Sequence, residues 1–347
     1  MAIADFFTKS FDLTFNHIYL AEEREVDINA FYSAEFKDVA CVSRVYTNYS
    51  KKRNRDCKFI YLSSNLPFII LVRDPISRLK TMINHGGYKD EVAMNRNSFH
   101  LNDNIDEVLD RRRFHNNSLY PSLEQTMPWL IKHSKLVNFS YTSTAKICNK
   151  EVYYIDASEV NPDKVMDSMR KYAKFFGKDL DEERLKGLEG YLKEKKWGVL
   201  VHTIPLTLQV NSLQIKIVPK EQKENLKDYA KELIDKNLEN LEVFNIIALA
   251  MSEEDFKVLK EDEKLFNETK TYLNEFVKKL ENLRQKYVET YVKENDVLEY
   301  LKTYKYEALT LKKVLDKEFT HIKENRPDIV ASWKYYGEFE KISERGS

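Results

Sequence analysis

One arginine stands where a bound phosphate would need a cation. Arg73 directly follows an apolar run, Phe68–Val72, and precedes Asp74 and Pro75. A short apolar run bounded by turn residues is typical of a buried strand in a parallel sheet. Ligands bind beside the carboxyl ends of such strands, and a helix that begins there favours anions. We therefore predict that Arg73 lies at an anion-binding edge of an α/β sheet.

The helix that must follow Arg73 has signals at both ends. Asp74 is a preferred N-cap residue, and Pro75 fits the first helical position, where its missing N–H costs nothing. Two glycines, Gly86 and Gly87, can end the helix. The sequence thus predicts a strand, a short connection carrying the arginine, and a helix.

This stretch resembles the 3′-phosphate-binding segment of sulfotransferases that use 3′-phosphoadenosine 5′-phosphosulfate (PAPS). In that family an arginine follows the strand, and a hydroxyl residue lies eight positions further along the helix. The matching residues here are Arg73 and Thr81, and the resemblance implies that they hold the 3′-phosphate of the nucleotide. A guanidinium matches phosphate oxygens, and a hydroxyl completes the contact. Ser77, in the first turn of the helix, could add a contact.

A second segment supports the resemblance. Residues 151–156 are typical of a strand, and a helix capped by Asn161 and opened by Pro162 is predicted to run to Phe176 and to end at Gly177. Sulfotransferases carry a similar late element. The resemblance implies an α/β, parallel-sheet domain of three layers over residues 1–219, with or without its first strand.

One expected part of a sulfotransferase is missing. The family grips the 5′-phosphosulfate with a loop of small residues, because the backbone must approach the phosphate closely. The first glycine here is Gly86, and residues 8–10 and 48–52 are poor substitutes that read more simply as solvated loops. Two hypotheses stay open: a transferase, or a degenerate, non-catalytic scaffold that binds a protein partner. A nucleotide-sugar glycosyltransferase ranks last because no DxD metal motif is present.

Sulfuryl transfer to a hydroxyl also needs a base. The candidates are His85, at the end of the helix after Arg73, and His115, which closely follows three arginines at 111–113. The arginines could meet an anionic substrate. Each histidine has a structural alternative: a histidine at a helix C-terminus complements the helix dipole, and three arginines fit a charge cluster at a helix end.

Beyond residue 219 the pattern becomes almost wholly helical. Apolar residues recur at helical spacing through 226–322, and Ser252 with Asp255 resembles a capping box. We predict an all-α domain or bundle over 220–347 that could bind a protein partner. Before it, residues 210–218 alternate between apolar and polar, which indicates a late strand or hairpin arm.

Composition narrows the function classes. The 56 basic and 56 acidic residues cancel, so long nucleic acids are not favoured partners. The three cysteines have no metal-ligand spacing, and reduced thiols suit the cytoplasm. No stretch approaches the roughly 18–20 apolar residues of a membrane span. The thiols, with no membrane span or signal peptide, indicate a cytoplasmic protein, and no metal is expected. The resemblance implies a bacterial-type enzyme that uses PAPS and modifies a glycan or a small hydroxyl compound.

Overall fold

The computed structural model describes residues 14–16, 40–42, 68–85, 87–88, 97–134, 139–148, 151–175, 179–193, 198–200, 203–220, 223 and 225–344. The candidate loops at 8–10 and 48–52, and also Gly86, Phe176 and Gly177, lie outside these residues. The fold is mixed α/β with a helical C-terminal region. Its finer, three-layer sulfotransferase-like form stays a prediction.

The elements are numbered here in chain order. The strands are β1 Thr14–Asn16, β2 Ala40–Val42, β3 Phe68–Val72, β4 Gly87–Tyr88, β5 Ser98–His100, β6 Arg112–Arg113, β7 Val152–Asp156, β8 Leu206–Val210, β9 Leu213–Pro219, β10 Lys227–Asp228 and β11 Ile247–Met251. The α-helices are α1 Pro75–Ile83, α2 Ile105–Leu109, α3 Leu123–Lys132, α4 Tyr141–Cys148, α5 Val165–Phe175, α6 Glu182–Lys193, α7 Ala230–Leu233, α8 Glu242–Ile246, α9 Glu253–Glu261, α10 Glu263–Thr290, α11 Glu294–Thr303, α12 Lys305–Glu318, α13 Thr320–Asn325, α14 Pro327–Ala331 and α15 Lys334–Glu344.

The chain forms two compact units, each assembled from separate stretches. Unit 1 comprises residues Met1–Arg78, Pro128–Glu194 and Leu298–Ser347, and unit 2 comprises Leu79–Met127 and Lys195–Val297. This division differs from the predicted one, since residue 219 lies inside unit 2. The reason is sheet pairing: β9, which ends at Pro219, pairs through residues 216–219 with β11, in the region that was expected to be separate. Among the described residues, no helix is long and apolar enough to cross a membrane.

Unit 1 contains the strand that precedes Arg73. β3 pairs in parallel with β7, from Phe68 opposite Val152 to Val72 opposite Asp156. Both strands were predicted, and both are confirmed. On one side, the buried Ile155 of β7 packs with apolar residues from α5 and α6: Val165, Met166, Met169, Tyr172 and Leu185.

Helix α5 begins later than the sequence indicated. Residues Ala157–Val160 form a 3₁₀ turn, and the helix starts at Val165 rather than at Pro162. A capping box in this turn joins Asp156 and Glu159, since each side chain bonds a backbone N–H at the other end of the turn. That local bonding competes with an earlier helix start.

Unit 2 is organised by a five-stranded sheet of order β10-β11-β9-β8-β5, in which β5 and β8 run parallel and the other pairs antiparallel. The late strand or hairpin arm predicted over 210–218 is confirmed as a hairpin arm: β9 begins at Leu213 and pairs antiparallel with β8, which ends at Val210. Asn211, with φ 53°, turns the chain between them. Asparagine tolerates this left-handed conformation, which tight hairpin turns require.

Strand β11 corrects the prediction that residues 220–347 are all-α. All five of its residues, Ile247–Met251, are buried, and it pairs antiparallel with β9 and β10. A short apolar run suits a buried strand as well as a buried helix. Its sheet partners, which a local pattern does not reveal, decide between the two.

A buried carboxylate joins the long helix α10 to α8 within unit 2. Glu281, whose side chain is 4% exposed, pairs with Arg284 at 2.7 Å. It also accepts the backbone N–H of Val243 at 2.9 Å. Burial alone would raise the pKa of Glu281, but the bonds from Arg284 and Val243 outweigh it and lower the pKa below 4.5.

Glu281→Gln is therefore expected to lower the free energy of unfolding at neutral pH by about 1–3 kcal/mol. Because the folded pKa is depressed, this stabilisation is present above pH 4.5 and is lost as the pH falls through the folded pKa. Denaturant unfolding at a series of pH values measures both effects. Glu289→Gln, at an exposed position of the same helix, is the control. A gap between wild type and Glu281→Gln that stays constant in acid would contradict the assignment.

Candidate functional site

The predicted anion site lies at the carboxyl end of the β3–β7 pair in unit 1. β3 ends at Val72, Arg73 and Asp74 follow, and α1 begins at Pro75. Because Val72 is paired with Asp156, both strands end at the same edge of the sheet. Arg73 is half-buried there. One edge thus carries an arginine and two acids.

Asp74 already occupies the first turn of α1. One carboxylate oxygen accepts the backbone N–H groups of Ile76 at 2.9 Å and Ser77 at 3.3 Å. The other accepts those of Tyr335 at 3.0 Å and Tyr336 at 3.2 Å. Burial raises the pKa of Asp74, and the four N–H donors oppose that rise. Since the N–H groups of Ile76 and Ser77 already bond to Asp74, an anion at this edge must be bound mainly by side chains.

Asp156 has a comparable structural role at the end of β7. It accepts the backbone N–H of Ser158 at 2.8 Å and the indole N–H of Trp333 at 2.7 Å. Residues 333–336 therefore bond to the acids at the ends of both strands. These bonds give both acids a structural role at this edge.

Two buried donors in unit 1 have no hydrogen-bond partner within the part of the chain that the structure describes. They are the hydroxyl of Tyr141, on α4, and Nε of Arg78, one turn into α1. Burial raises the pKa of Tyr141, the Arg78 guanidinium lowers it, and Asp156 raises it further. The charges of Arg78 and Asp156 thus both act on Tyr141. Unsatisfied buried donors are costly, and a bound anion is one way to satisfy them.

The predicted hydroxyl residues both lie on α1. Ser77 is buried in the first turn, and Thr81 is exposed. Since they are four residues apart, they share one face of the helix. Thr81 is therefore accessible to a ligand, whereas Ser77 is enclosed by protein.

The two predicted histidines both lie in unit 2. His85 follows the end of α1 and is exposed, and His115, which is half-buried, begins a 3₁₀ turn. Strands β4 and β6 pair antiparallel with Gly87 opposite Arg113. His85 precedes Gly87 and His115 follows Arg113, so both histidines lie at the same end of this pair.

The three adjacent arginines have different environments. Arg111 donates to the Ser98 carbonyl at 2.8 Å, and Arg113 binds the Asp110 carboxylate through two bonds of 2.7 and 2.8 Å. Arg112 is only 2% exposed. The prediction of a simple charge cluster at a helix end therefore fits Arg113 but not Arg112.

Sequence reasoning missed a buried polar group in unit 1. The Glu318 carboxylate is fully buried and accepts the backbone N–H and the hydroxyl of Ser143 at 2.9 and 2.6 Å. Nearby, the Tyr154 hydroxyl lies 2.8 Å from Nδ1 of His321. Burial raises the pKa of Tyr154, so its hydroxyl stays protonated at neutral pH. A glutamate on a charged helix looks solvated in sequence, so no local signal pointed to this group.

Part of this site lies in a segment that matches a known protein family. The family described as protein of unknown function (DUF2972) matches residues 154–345, slightly more than half of the chain. The chain belongs to this family. No curated protein and no solved structure matches it.

The DUF2972 match runs from β7 to the end of α15. It includes Asp156, Glu318, His321 and Trp333, whereas Arg73 precedes it. The family segment therefore supplies one strand of the candidate edge and the 333–336 residues bonded to it. The described residues contain no group of three or more histidine, cysteine, aspartate or glutamate side chains that could hold a metal ion.

Proposed function

We propose that this chain is a sulfotransferase-like transferase that binds a 3′-phosphoadenosine nucleotide at the carboxyl end of the β3–β7 pair. The observation that carries the proposal is the strand–Arg73–α1 connection beside a parallel strand. Ligands of open α/β sheets bind at this edge. In the proposed reaction PAPS is the sulfuryl donor, and a hydroxyl of a glycan or small molecule is the acceptor.

In this proposal Arg73 supplies the main charge for the 3′-phosphate. Its planar guanidinium can bind two phosphate oxygens at once. Thr81, which is exposed, is the proposed hydroxyl contact, and Ser77, predicted as an additional contact, is buried. Since Asp74 takes N–H groups of the helix, the side-chain donors matter more here than at an open helix end. Arg78 Nε and the Tyr141 hydroxyl, which have no hydrogen-bond partner among the described residues, support an anion in this region.

The proposed step forms a bond between the acceptor oxygen and sulfur, and breaks the bond between sulfur and the bridging phosphate oxygen. The nucleotide leaves as 3′-phosphoadenosine 5′-phosphate, and the acceptor hydroxyl loses its proton to a base. Asp74 and Asp156 are poor candidates for that base because both are already hydrogen-bonded. His85 and His115 are the candidate bases predicted from the sequence, and both lie in unit 2.

Calorimetry of the full chain with 3′-phosphoadenosine 5′-phosphate tests the binding. Arg73→Ala is expected to weaken it about 10- to 100-fold, the loss of a charge-assisted bidentate contact. Arg170→Ala is the matched control, because Arg170 lies in the same unit on an outward face, bonded to Glu182 and Asp167. Absence of binding at millimolar nucleotide, or equal effects of the two variants, would refute the proposal.

A non-catalytic scaffold is the second candidate function. It is favoured by the bonds from residues 333–336 to both strand-end acids, which give that edge a structural role. A scaffold would bind a protein partner through its helical C-terminal region. Transfer of radiolabelled sulfate from PAPS to an acceptor, abolished by Arg73→Ala, would eliminate it.

A further inference from the structure

A cavity of about 270 Å³ opens in unit 2 between α10 and the 106–120 segment. Its apolar lining includes Leu109, Leu283 and the rings of Tyr120 and Tyr287. The two tyrosine rings meet edge to face, with centroids 6.0 Å apart. The volume lies near the lower limit of ordinary small-molecule sites, about 300 Å³. The cavity therefore suits a ligand about the size of one substituted ring.

The charges that line this cavity do not balance. Its two acids already have cationic partners: Asp106 pairs with Lys279, and Asp110 pairs with Arg113 at 2.7 Å. Arg112 and Lys286 also line the cavity. In the part of the chain that the structure describes, no carboxylate pairs with either of them. The surplus charge of the cavity is positive.

Arg112 is the decisive residue because its guanidinium is buried and, among the residues that the structure describes, pairs with no carboxylate. The side chain is 2% exposed, and its carbon Cζ lies 4.5 Å from the centre of the Phe114 ring and 5.0 Å from that of Tyr287. It donates to the carbonyls of Val199 at 3.2 Å and Asn84 at 3.0 Å. Within the described residues, its Nε has no hydrogen-bond partner. A buried cation that lacks a counter-charge is costly, and an anion in the cavity would offset that cost.

The position of Arg112 is held by a second layer of bonds. Asn84, whose carbonyl accepts from Arg112, is itself fixed by two hydrogen bonds between its side-chain amide and the backbone of Val292, at 2.8 and 3.0 Å. The aromatic rings on Arg112 restrict its remaining freedom. The guanidinium is therefore pre-organised, which reduces the entropy that binding must otherwise cost.

We propose that this cavity binds a small organic anion: one phosphate, sulfate or carboxylate group carried on an apolar, ring-sized body. The anionic group contacts Arg112 and Lys286, and the body packs on Tyr120 and Leu283. The site lies wholly within unit 2 and does not depend on nucleotide binding at Arg73.

Phenyl phosphate is the probe, and phenol is its uncharged counterpart. Calorimetry of the full chain is expected to show saturable binding of phenyl phosphate, with phenol at least about tenfold weaker, since a charge-assisted contact is lost. Lys286→Gln is expected to weaken phenyl phosphate binding by roughly 3- to 10-fold. Lys278→Gln, at an exposed position of the same helix outside the cavity, is the matched control and should bind like wild type.

Arg112→Met is expected to abolish binding of phenyl phosphate. Arg112→Met also loses the bonds to Val199 and Asn84, so its folding is checked by circular dichroism. If Arg112→Met does not fold, the Lys286→Gln variant decides the outcome. Equal affinity for phenol and phenyl phosphate overturns the proposal, as does absence of phenyl phosphate binding or an unchanged Lys286→Gln variant. Arg73→Ala should leave this binding intact, which separates failure here from failure of the proposed function.

Discussion

Trp333→Ala is expected to lower the free energy of unfolding by about 3–5 kcal/mol, as large aromatic truncations in a core do. Trp333 is 5% exposed. Its ring meets Phe319 edge to face with centroids 5.3 Å apart, and its indole N–H donates to Asp156 at 2.7 Å. The change therefore opens a cavity and leaves a buried carboxylate oxygen without its donor. Urea denaturation followed by circular dichroism measures the loss.

Two further variants separate these contributions. Trp333→Phe keeps a ring but removes the indole N–H, and should cost about 1–3 kcal/mol. Tyr306→Ala, at an 81% exposed position of the same unit, should change stability by no more than about 0.5 kcal/mol. If Trp333→Ala behaved like Tyr306→Ala, the bonding of residues 333–336 to the strand ends would not be a stabilising feature.

The second large effect is expected at Asp74. Asp74→Ala removes the acceptor for four backbone N–H groups, those of Ile76, Ser77, Tyr335 and Tyr336. Loss of the helix cap costs about 1–2 kcal/mol of stability. The backbone N–H groups of Tyr335 and Tyr336 also lose their acceptor, which brings the total to about 2–4 kcal/mol. Thermal and urea unfolding of the full chain measure the change.

Asp74→Asn tests whether both carboxylate oxygens are used. An asparagine can offer its oxygen to one pair of N–H groups, but it then places its own NH₂ against the other pair. We expect an intermediate loss of about 1–3 kcal/mol. Asp163→Asn, at an exposed position of unit 1, should be neutral. An Asp74→Asn variant as stable as wild type would show that one of the two sets of bonds contributes nothing.

Local chemistry accounts for what could be predicted near Arg73. An unbroken apolar run, a capping aspartate and a proline at the first helical position act within a few residues of each other. The strand Phe68–Val72 and the helix after it follow from those signals alone. Likewise, the strand before Asp156 was readable, whereas the start of α5 was not, because the 3₁₀ turn held by Asp156 and Glu159 competes with it.

Long-range pairing accounts for most of what was missed. The second oxygen of Asp74 bonds to residues more than 260 positions away, and no local pattern encodes such a contact. Strand β11 reads equally well as helix until β9 and β10 lie beside it. The interleaving of the two units has the same origin, since packing depends on which distant segments meet.

The three arginines show where the sequence alone stops. Residue type and spacing determined that Arg73 follows a buried strand and that positions 111–113 carry three positive charges. Only the tertiary structure decided which of those arginines bonds to a backbone carbonyl, which pairs with a carboxylate and which is buried, because burial and partners depend on how the chain folds. Arg113 faces Asp110, whereas Arg112 is enclosed by Phe114 and by Tyr287 of a helix far along the chain.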